Sequence, residues 1–217
     1  MQPFRFSFNG EHELELPEGN ADAWHCATDI IEGRCYPFPI DYQPRVVVDI
    51  GAHCGEFTIM AALLWPKSAI HAFEPFPATC DMLRRNMAKF PNVVVHQVGV
   101  AAKTGMASLN LSTIGSVAHS IRRCSHHSDE SVQIQLVDPD FIAALQPDVL
   151  KIDAEGVEAE IISGLGQRAT RIERIHFEFH SEADRLAICY QLDATHSMSH
   201  ARIFLPEQGE MLYTRRR

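Results

Sequence analysis

The sequence predicts an α/β fold built on a parallel β-sheet with helices on both faces. Residues 46–48 form an uninterrupted β-branched run, which is typical of a strand buried on both faces of a parallel sheet. A turn with two glycines, Gly51 and Gly55, follows this run and leads into a helical pattern at residues 57–64. Strand and helix patterns then alternate through the middle of the chain, and connections of this kind place successive strands parallel.

The segment before this unit is predicted to form a hairpin and one helix. Residues 4–8 and 12–16 alternate in polarity on either side of an Asn-Gly turn, which is a strong hairpin signal. A helix is expected at residues 21–32. Asn20 or Asp22 should cap it, because such side chains accept hydrogen bonds from the free N–H groups of a first helical turn. We expect this piece to cover the sheet edge or the mouth of the site.

The remaining strands and helices follow in alternation, with an antiparallel pair at the end. Because ligands of open α/β sheets bind beyond the carboxyl ends of the strands, residues at those ends are the site candidates. The predicted strands lie at residues 69–73, 93–98, 106–111, 132–137, 148–152, 172–179, 201–205 and 211–214, with residues 116–121 as a further pairing segment. The predicted helices lie at residues 77–90, 139–145, 155–165 and 182–192.

Length and composition narrow the class of protein. Of 217 residues, 46% are hydrophobic and 22% charged, so we expect a single globular domain, with residues 1–44 as a cover and residues 45–217 as the core. The net charge of −9 argues against a nucleic-acid partner, because duplex binding rests on basic surface. No run approaches the ~20 apolar residues of a membrane span, so no membrane partner is expected. Six cysteines without a CxxC pair predict reduced thiols and a cytoplasmic location.

Acidic residues stand at the ends of the first two parallel strands. Asp49 follows the first apolar run, and Glu74 follows the strand at residues 69–73, a separation of 74 − 49 = 25 residues. This is near the ~20 residues expected for a carboxylate that binds ribose hydroxyls. An acid beside the turn repels a phosphate and suits a cationic group, such as the ammonium of S-adenosylmethionine (SAM). The pattern favours a nucleoside site over a purely structural turn.

Four blocks of the sequence resemble one known family. They are VVDIGAHCG at residues 47–55, AFEP at residues 72–75, LKIDAEGVE at residues 150–158 and FEFH at residues 177–180. Together they look like the FkbM family of SAM-dependent methyltransferases, and the Lys-Ile-Asp-Ala-Glu-Gly stretch is the most specific part. The family usually has Asn at the position of His53.

The resemblance implies a Rossmann-like class I methyltransferase fold, with a mixed seven-stranded sheet in the order 3-2-1-4-5-7-6. It also implies O-methylation of a hydroxyl on a small molecule, sugar or secondary metabolite, with SAM as cofactor. Glu74 is expected on the ribose hydroxyls, and Phe76 on the adenine ring. Ser116 and His119 take the positions of substrate-loop residues. The expected cofactor residues are Asp49, Gly51, His53, Gly55, Thr58, Glu74, Pro75, Phe76, Gly99, Val100 and Asp153.

Three residues are candidates to take a proton from the acceptor hydroxyl. Methyl transfer from a sulfonium needs mainly alignment and a base, and Asp153 and Glu155 follow the fourth parallel strand, where the acceptor should lie. His180 is the rival, since the ordinary histidine pKa of about 6.5 suits proton transfer at neutral pH. Lys151 interrupts an apolar strand and needs a buried partner, for which Glu178 is expected.

Three interpretations of the function stay open. The first is a metal-independent O-methyltransferase, with no metal ligands assigned because the histidines form no metal-binding spacing. The second is a methyltransferase in which Asp153, with Glu178 or His180, holds Mg²⁺ against the acceptor oxygen. The third is a SAM-binding or interaction module without activity. The sequence does not predict the oligomeric state.

Overall fold

A seven-stranded sheet forms the centre of the protein in a computed structural model that describes residues 3–39, 41–113, 115–122 and 127–217. The strands are β1 (Phe4–Ser7), β2 (Glu11–Leu14), β3 (Val46–Ile50), β4 (Ala69–Phe73), β5 (Val93–His96), β6 (Gly99–Val100), β7 (Gly105–Ser112), β8 (His127–Val137), β9 (Val149–Ile152), β10 (Arg174–Phe179), β11 (His196–Leu205) and β12 (Gln208–Arg215). The helices are α1 (Ala21–Ile31), α2 (Glu56–Leu64), α3 (Pro77–Met87), α4 (Pro139–Ala144), α5 (Glu158–Leu165) and α6 (Glu182–Leu192).

The strand order confirms the predicted methyltransferase topology. The sheet runs β11-β12-β10-β9-β3-β4-β5, which is the order 3-2-1-4-5-7-6 when it is read from the β5 edge. The five strands from β10 to β5 are parallel, whereas β12 pairs antiparallel with both β10 and β11. Because β3 lies between β9 and β4, the turns after β3, β4 and β9 meet at one edge of the sheet.

Hydrophobic residues bury both faces of the sheet. In β3, Val47 packs into one cluster with Phe57 and Trp65, and Val48 packs into a second cluster with Ile152. Side chains of successive strand residues point to opposite faces, so a strand buried on both sides has to be apolar at every position. The uniformly apolar run at residues 46–48 therefore forms the predicted buried strand.

The N-terminal hairpin and α1 pack onto the same side of the molecule as α2 and α3. The side chain of Asn86 accepts a hydrogen bond from the N–H of Glu15 at 2.8 Å and donates to the carbonyl of Cys54 at 2.7 Å. It thereby joins the end of the hairpin to the turn after β3. Asn20, one of the two predicted caps of α1, accepts a hydrogen bond from the N–H of Ala23. None of the helices in the described ranges has the length and apolar character to cross a membrane.

Three predicted elements differ from the structure near the site. The predicted helix at residues 155–165 begins at Glu158, because Glu155 has a left-handed backbone with φ of 56°. The predicted strand at residues 93–98 ends at His96, since the chain leaves the main sheet there and β6 pairs with β8 in a three-stranded sheet of order β6-β8-β7. The segment at residues 116–121 contributes a short 3₁₀ turn and one bridge, between Asn110 and Ser120, instead of a strand.

Candidate active site

A cavity of about 760 Å³ opens at the carboxyl ends of the parallel strands. Its walls come from the ends of β3, β4, β9 and β10, from α1, and from the β11–β12 hairpin. The volume lies in the upper part of the ~300–1,000 Å³ range of ligand pockets. Open α/β sheets bind ligands at this edge, next to the point where the strand order reverses. The predicted cofactor residues that line the cavity are Gly51, His53, Glu74, Pro75, Gly99, Val100 and Asp153.

Glu74 is held in place by its own neighbourhood. Its Oε1 accepts from the N–H of Phe76 at 2.8 Å and from the hydroxyl of Thr79 at 2.9 Å, and its Oε2 accepts from the N–H of His53 at 3.0 Å. Burial raises the pKa of this carboxyl, against the charge of His53 and these bonds. Because each carboxylate oxygen can accept about two hydrogen bonds, Oε2 keeps capacity for a ligand hydroxyl.

Asp49 lies beneath the turn after β3 and acts on it through its partners. It is fully buried, accepts from the Thr58 hydroxyl at 2.6 Å, and lies 3.3 Å from the ammonium of Lys151. That ammonium donates to the carbonyl of Gly51 at 2.6 Å. Burial raises the pKa of Asp49. The positive charge of Lys151 and the hydrogen bond from the Thr58 hydroxyl oppose this rise. The Thr58 hydroxyl, a predicted cofactor contact, is directed to Asp49 in this arrangement.

The predicted ion pair between Lys151 and Glu178 is wrong. The register of β9 against β3 sets Lys151 directly beside Asp49, and Asp153 follows at 3.4 Å on the same face. Burial lowers the pKa of Lys151, but the charges of Asp49 and Asp153 outweigh it and raise that pKa. Lys151 is therefore a cation between the two carboxylates, at the point where the turn after β3 contacts the end of β9.

His53 connects the same turn to the segment after β7. Its Nδ1 lies 2.8 Å from Oε1 of Glu56, and its Nε2 lies 2.8 Å from the hydroxyl of Ser116. Burial would lower the pKa of His53, but the charge of Glu56 raises it well above its ordinary value. The structure thus places Ser116, a predicted substrate-loop residue, against the turn after β3. His119 lines the cavity, and the ring of Phe76 packs edge-on against it at 4.7 Å, so the expected contact of Phe76 with adenine stays a prediction.

The other end of the cavity holds a cluster of ionisable side chains, which we call the acid cluster: Asp153, Glu155, Glu178 and His180, with Tyr36 beside them. The Tyr36 hydroxyl lies 3.1 Å from Glu178 and 3.4 Å from Asp153. A phenol carries one proton, so the two carboxylates share a single donor. The Nε2 atom of His180 lies 3.2 Å from Glu155 and 3.5 Å from Glu178.

The charges of the acid cluster determine which member can take a proton. Burial would lower the pKa of His180, but Glu155 and Glu158 outweigh it and raise that pKa to about 12. Burial raises the pKa of Glu155 and of Glu178, and the charge of Asp153 raises both further. An imidazole that already carries its proton cannot accept another. The raised pKa of His180, with Glu155 3.2 Å from its Nε2 atom, therefore favours a carboxylate over His180 as the base.

Backbone contacts fix the loop that carries Glu155. Its carbonyl accepts from the Ser120 hydroxyl at 2.6 Å, and the Glu158 carboxylate accepts from the N–H groups of Ala154 at 2.8 Å and Gly156 at 3.0 Å. A left-handed conformation of a non-glycine residue costs on the order of 1–3 kcal/mol and persists where its surroundings impose it. These bonds supply the surroundings, and they hold Glu155 in the cavity wall instead of in the first turn of α5.

Within the described part of the chain, two groups of three side chains could hold a metal ion. One is Asp153, Glu155 and His180, and the other is His53, Cys54 and Glu56, with one ligand atom per residue within 4.8 Å of the others. Binding at the first group would require the raised pKa of His180 to be overcome, because a metal ligand must be a neutral imidazole. Binding of a cation at this group would therefore release that proton.

The cavity wall contains residues that were not among the predicted site residues. Tyr36 sits in a Pro-containing connector, and no spacing in the sequence relates it to Asp153. Glu178 was expected only as the partner of Lys151 or as a Mg²⁺ ligand, and its position in the fourth resembling block is the signal that could have placed it beside the candidate bases. Residues 203–205 come from β11 and carry no motif.

Two curated relatives share part of the sequence. The chain is 26% identical over 147 residues to the hexuronic acid methyltransferase AglP of Haloferax volcanii. This alignment covers 65% of this chain and 59% of that protein. The chain is also 36% identical over 85 residues to the 31-O-demethyl-FK506 methyltransferase FkbM of Streptomyces tacrolimicus. This second alignment covers 35% of this chain and 33% of that protein. The chain therefore spans less than two thirds of the length of either relative.

Comparison with solved structures shows the fold. The fibrillarin of Aeropyrum pernix, solved with natively bound S-adenosyl-L-methionine, superposes with a TM-score of 0.53 at 12% identity, covering 98% of this chain and 82% of that one. The match to the family described as Methyltransferase FkbM domain extends over residues 49–211, from the acid that ends β3 to the middle of β12. This match confirms the predicted cofactor, SAM, at the level of the family. The chain belongs to the FkbM family of methyltransferases.

Proposed function

We propose that this protein is a SAM-dependent O-methyltransferase that acts on a hydroxyl of a small molecule. The observation that carries the proposal is the position of Asp153. Asp153 lies 3.4 Å from the ammonium of Lys151, which donates a hydrogen bond to the Gly51 carbonyl, and 3.4 Å from the hydroxyl of Tyr36. It therefore lies where the turn after β3 meets the acid cluster. A methyl donor on one side of Asp153 and an acceptor on the other would share one cavity.

The chemistry requires alignment and a place for one proton. The acceptor oxygen attacks the methyl carbon in line with the carbon–sulfur bond, and the sulfur leaves with the bonding electron pair as a neutral thioether. The hydroxyl proton goes to Asp153 or Glu155, the two carboxylates of the acid cluster that follow β9. The sulfonium loses its charge as the carboxylate loses its own, so the net charge of the site stays constant through the reaction.

The proposed acceptor is a hydroxyl of a sugar or a secondary metabolite. The acid cluster offers several hydrogen-bond acceptors and the donors Tyr36 and His180, which suits a polyhydroxylated compound. The names of the two relatives, a hexuronic acid methyltransferase and a 31-O-demethyl-FK506 methyltransferase, agree with acceptors of these kinds.

The direct test is methyl transfer by the purified protein. SAM with an isotopically labelled methyl group is incubated with neutral glycosides, uronic acids, polyols and primary amines, and products are identified by mass spectrometry. We expect label on oxygen, together with S-adenosylhomocysteine in equal amount. Label on nitrogen would overturn O-methylation, and SAM binding without transfer to any acceptor would make the protein a binding module.

A metal-assisted reaction is the second candidate, and the group of Asp153, Glu155 and His180 is the observation in its favour. We expect activity to survive EDTA, because the raised pKa of His180 opposes metal binding at that group. Loss of activity in EDTA and recovery with Mg²⁺ alone would replace the metal-independent mechanism.

A further inference from the structure

Three consecutive large apolar side chains are exposed at the mouth of the cavity. Ile203, Phe204 and Leu205 at the end of β11 are 61%, 38% and 59% exposed, and all three line the cavity; we call them the apolar lip. Among the other exposed large apolar residues of the described chain, Leu186 and Tyr190 share α6 and Met198 lies on β11, but none of these others lines the cavity. Isolated exposed apolar residues are ordinary, but a contiguous group beside a pocket marks a binding surface.

The backbone explains how three adjacent residues can share one surface. Successive residues of a regular strand point to opposite faces, so only alternate side chains would reach the cavity. The pairing of β11 with β12 shifts register between Ile203 and Leu205, which is the irregularity of a β-bulge. Opposite Ile203 stands Gly209, where an added Cβ would lie 2.3 Å from the carbonyl oxygen of Arg202. A side chain at residue 209 would push this end of the hairpin out of place.

Arg202 ties the apolar lip to the opposite wall of the mouth. Its guanidinium donates to Asp29 of α1 at 2.8 Å and to the sulfur of Cys35 at 2.9 Å, and it lies 5.2 Å from the ring centre of Phe204. The lip is therefore held over the cavity before any ligand arrives. A preformed apolar surface loses little conformational freedom when a ligand binds it.

On the basis of the proposed function, we infer that the apolar lip binds the apolar body of an amphipathic acceptor. The reacting hydroxyl would lie at the acid cluster, inside the same cavity, and a hydrocarbon or aromatic group attached to it would lie against residues 203–205. The acceptor class is then a hydroxyl compound with an apolar portion, such as a sugar with a hydrophobic aglycone, and a fully polar free sugar is a poor acceptor. Continuity of the lip with the catalytic cavity assigns it to the acceptor and not to a separate partner.

The test compares two acceptors that differ only in the apolar portion, a methyl glycoside and the octyl glycoside of the same sugar. For the wild type, we expect a KM at least about tenfold lower for the octyl compound, since burial of two or more extra methylenes has that effect. The double variant Ile203→Ser/Leu205→Ser should reduce this ratio to within about twofold. Met198→Ser, also exposed and on β11 but outside the cavity lining, is the matched control and should keep the wild-type ratio.

A second measurement separates the lip from the proposed function. Calorimetry of the two glycosides, with S-adenosylhomocysteine bound, should give the same ratio in Kd, and it needs no turnover. A preference for the octyl compound in binding without methylation of either would support the lip and overturn the reaction. Methylation with equal KM and equal Kd for both compounds would overturn the inferred role of the apolar lip and leave the proposed reaction in place. A double variant that keeps the ratio but loses a dimer on size-exclusion chromatography would assign the lip to a second copy and overturn the inference.

Discussion

The two halves of the cavity are built in different ways. In the cofactor half, by which we mean the part around Glu74 that we propose binds SAM, Glu74 bonds to partners 2, 5 and 21 residues away, and two of the three donors are backbone N–H groups. In the acceptor half, the part around the acid cluster that we propose binds the acceptor, the Tyr36 hydroxyl reaches carboxylates that are 117 and 142 residues away in the chain. The contacts of Glu74 come from two neighbouring strand-turn-helix units, whereas the contacts of Tyr36 require the complete fold.

The difference also concerns charge. The acid cluster gathers the partly exposed carboxylates of Asp153, Glu155 and Glu178 around His180, whereas Asp49 and Glu74 in the other half are buried. Such buried groups are sensitive to the loss of a single partner, because an uncompensated buried charge is costly. Loss of a charged partner should therefore cost the most stability at the buried pair of Asp49 and Lys151, whereas changes in the acid cluster should affect the reaction.

The largest effect should follow from changing the base. Asp153→Asn keeps the shape of the side chain and removes its charge, and we expect kcat to fall by ~10²–10⁴, the usual contribution of general base catalysis. Glu155→Gln is the second candidate for the same loss. The Kd of SAM, measured by calorimetry, should change far less, because the contacts of Glu74 stay intact. If His180→Ala abolishes turnover while both amide variants stay near the wild-type rate, the base is on the β10 side of the cavity.

Removing the cation between the halves should reduce stability. Lys151→Met leaves Asp49, which is fully buried, without its charged partner, and we expect the free energy of unfolding to fall by about 3–5 kcal/mol. Urea unfolding measures the loss. The double variant Asp49→Asn/Lys151→Met should lose less than the sum of the single variants, since neither charge remains. Strict additivity would show that the two residues are not coupled.

A cofactor contact should affect SAM binding with little change at the acceptor. Glu74→Gln replaces a charged acceptor of ribose hydroxyls with an amide, and a charge-assisted hydrogen bond contributes ~1.5–3 kcal/mol, which corresponds to a Kd about 10- to 100-fold higher. Calorimetry gives the Kd, and thermal unfolding checks that the variant is folded. An unchanged Kd would remove Glu74 from the cofactor site.

The smallest effect at neutral pH concerns His176, which is buried beneath the acceptor half between the rings of Tyr36 and Phe57. Neither ring nitrogen has a hydrogen-bond partner among the described residues, and burial lowers its pKa to about 3. The folded protein therefore binds this proton more weakly than the unfolded chain, whose histidine titrates near 6.5.

The stability that neutral His176 contributes is complete above about pH 6.5 and is lost as the pH falls toward 3. The free energy of unfolding of His176→Phe should match that of the wild type near pH 7. At lower pH it should exceed the wild-type value, by at most about 1.4 kcal/mol for each pH unit below about 6.5. Urea midpoints at about pH 7 and pH 5 measure the difference. Parallel pH profiles for the two proteins would contradict the lowered pKa.

The strand order is what the family resemblance implies, and the resemblance could be recognised because the blocks that carry it are local. The apolar run before Asp49, the glycine turn and the acid at Glu74 are all visible within a few residues. The partner of Lys151 was missed because it depends on register: β3 sets Asp49 beside it, whereas Glu178 lies beyond the register pair of Lys151 in β10, which is His176.

Features that depend on tertiary contacts could not be predicted. Glu155 has no intrinsic preference for φ of 56°, and the conformation follows from bonds to Ser120 and to the loop before α5. Tyr36 and residues 203–205 reach the cavity from opposite ends of the chain, and periodicity describes only neighbours along one element.

The contact between Gly51 and Asp153 limits how this protein can be redesigned. A Cβ at Gly51, which has φ of 72°, would lie 1.7 Å from the carbonyl oxygen of Asp153. Because the obstacle is backbone, no change of side-chain rotamer can relieve it, and any larger residue would have to displace the end of β9. A laboratory-evolution library randomised at position 51 would have one solution, glycine, whereas the exposed side chains at residues 203–205 can change without displacing the end of β9.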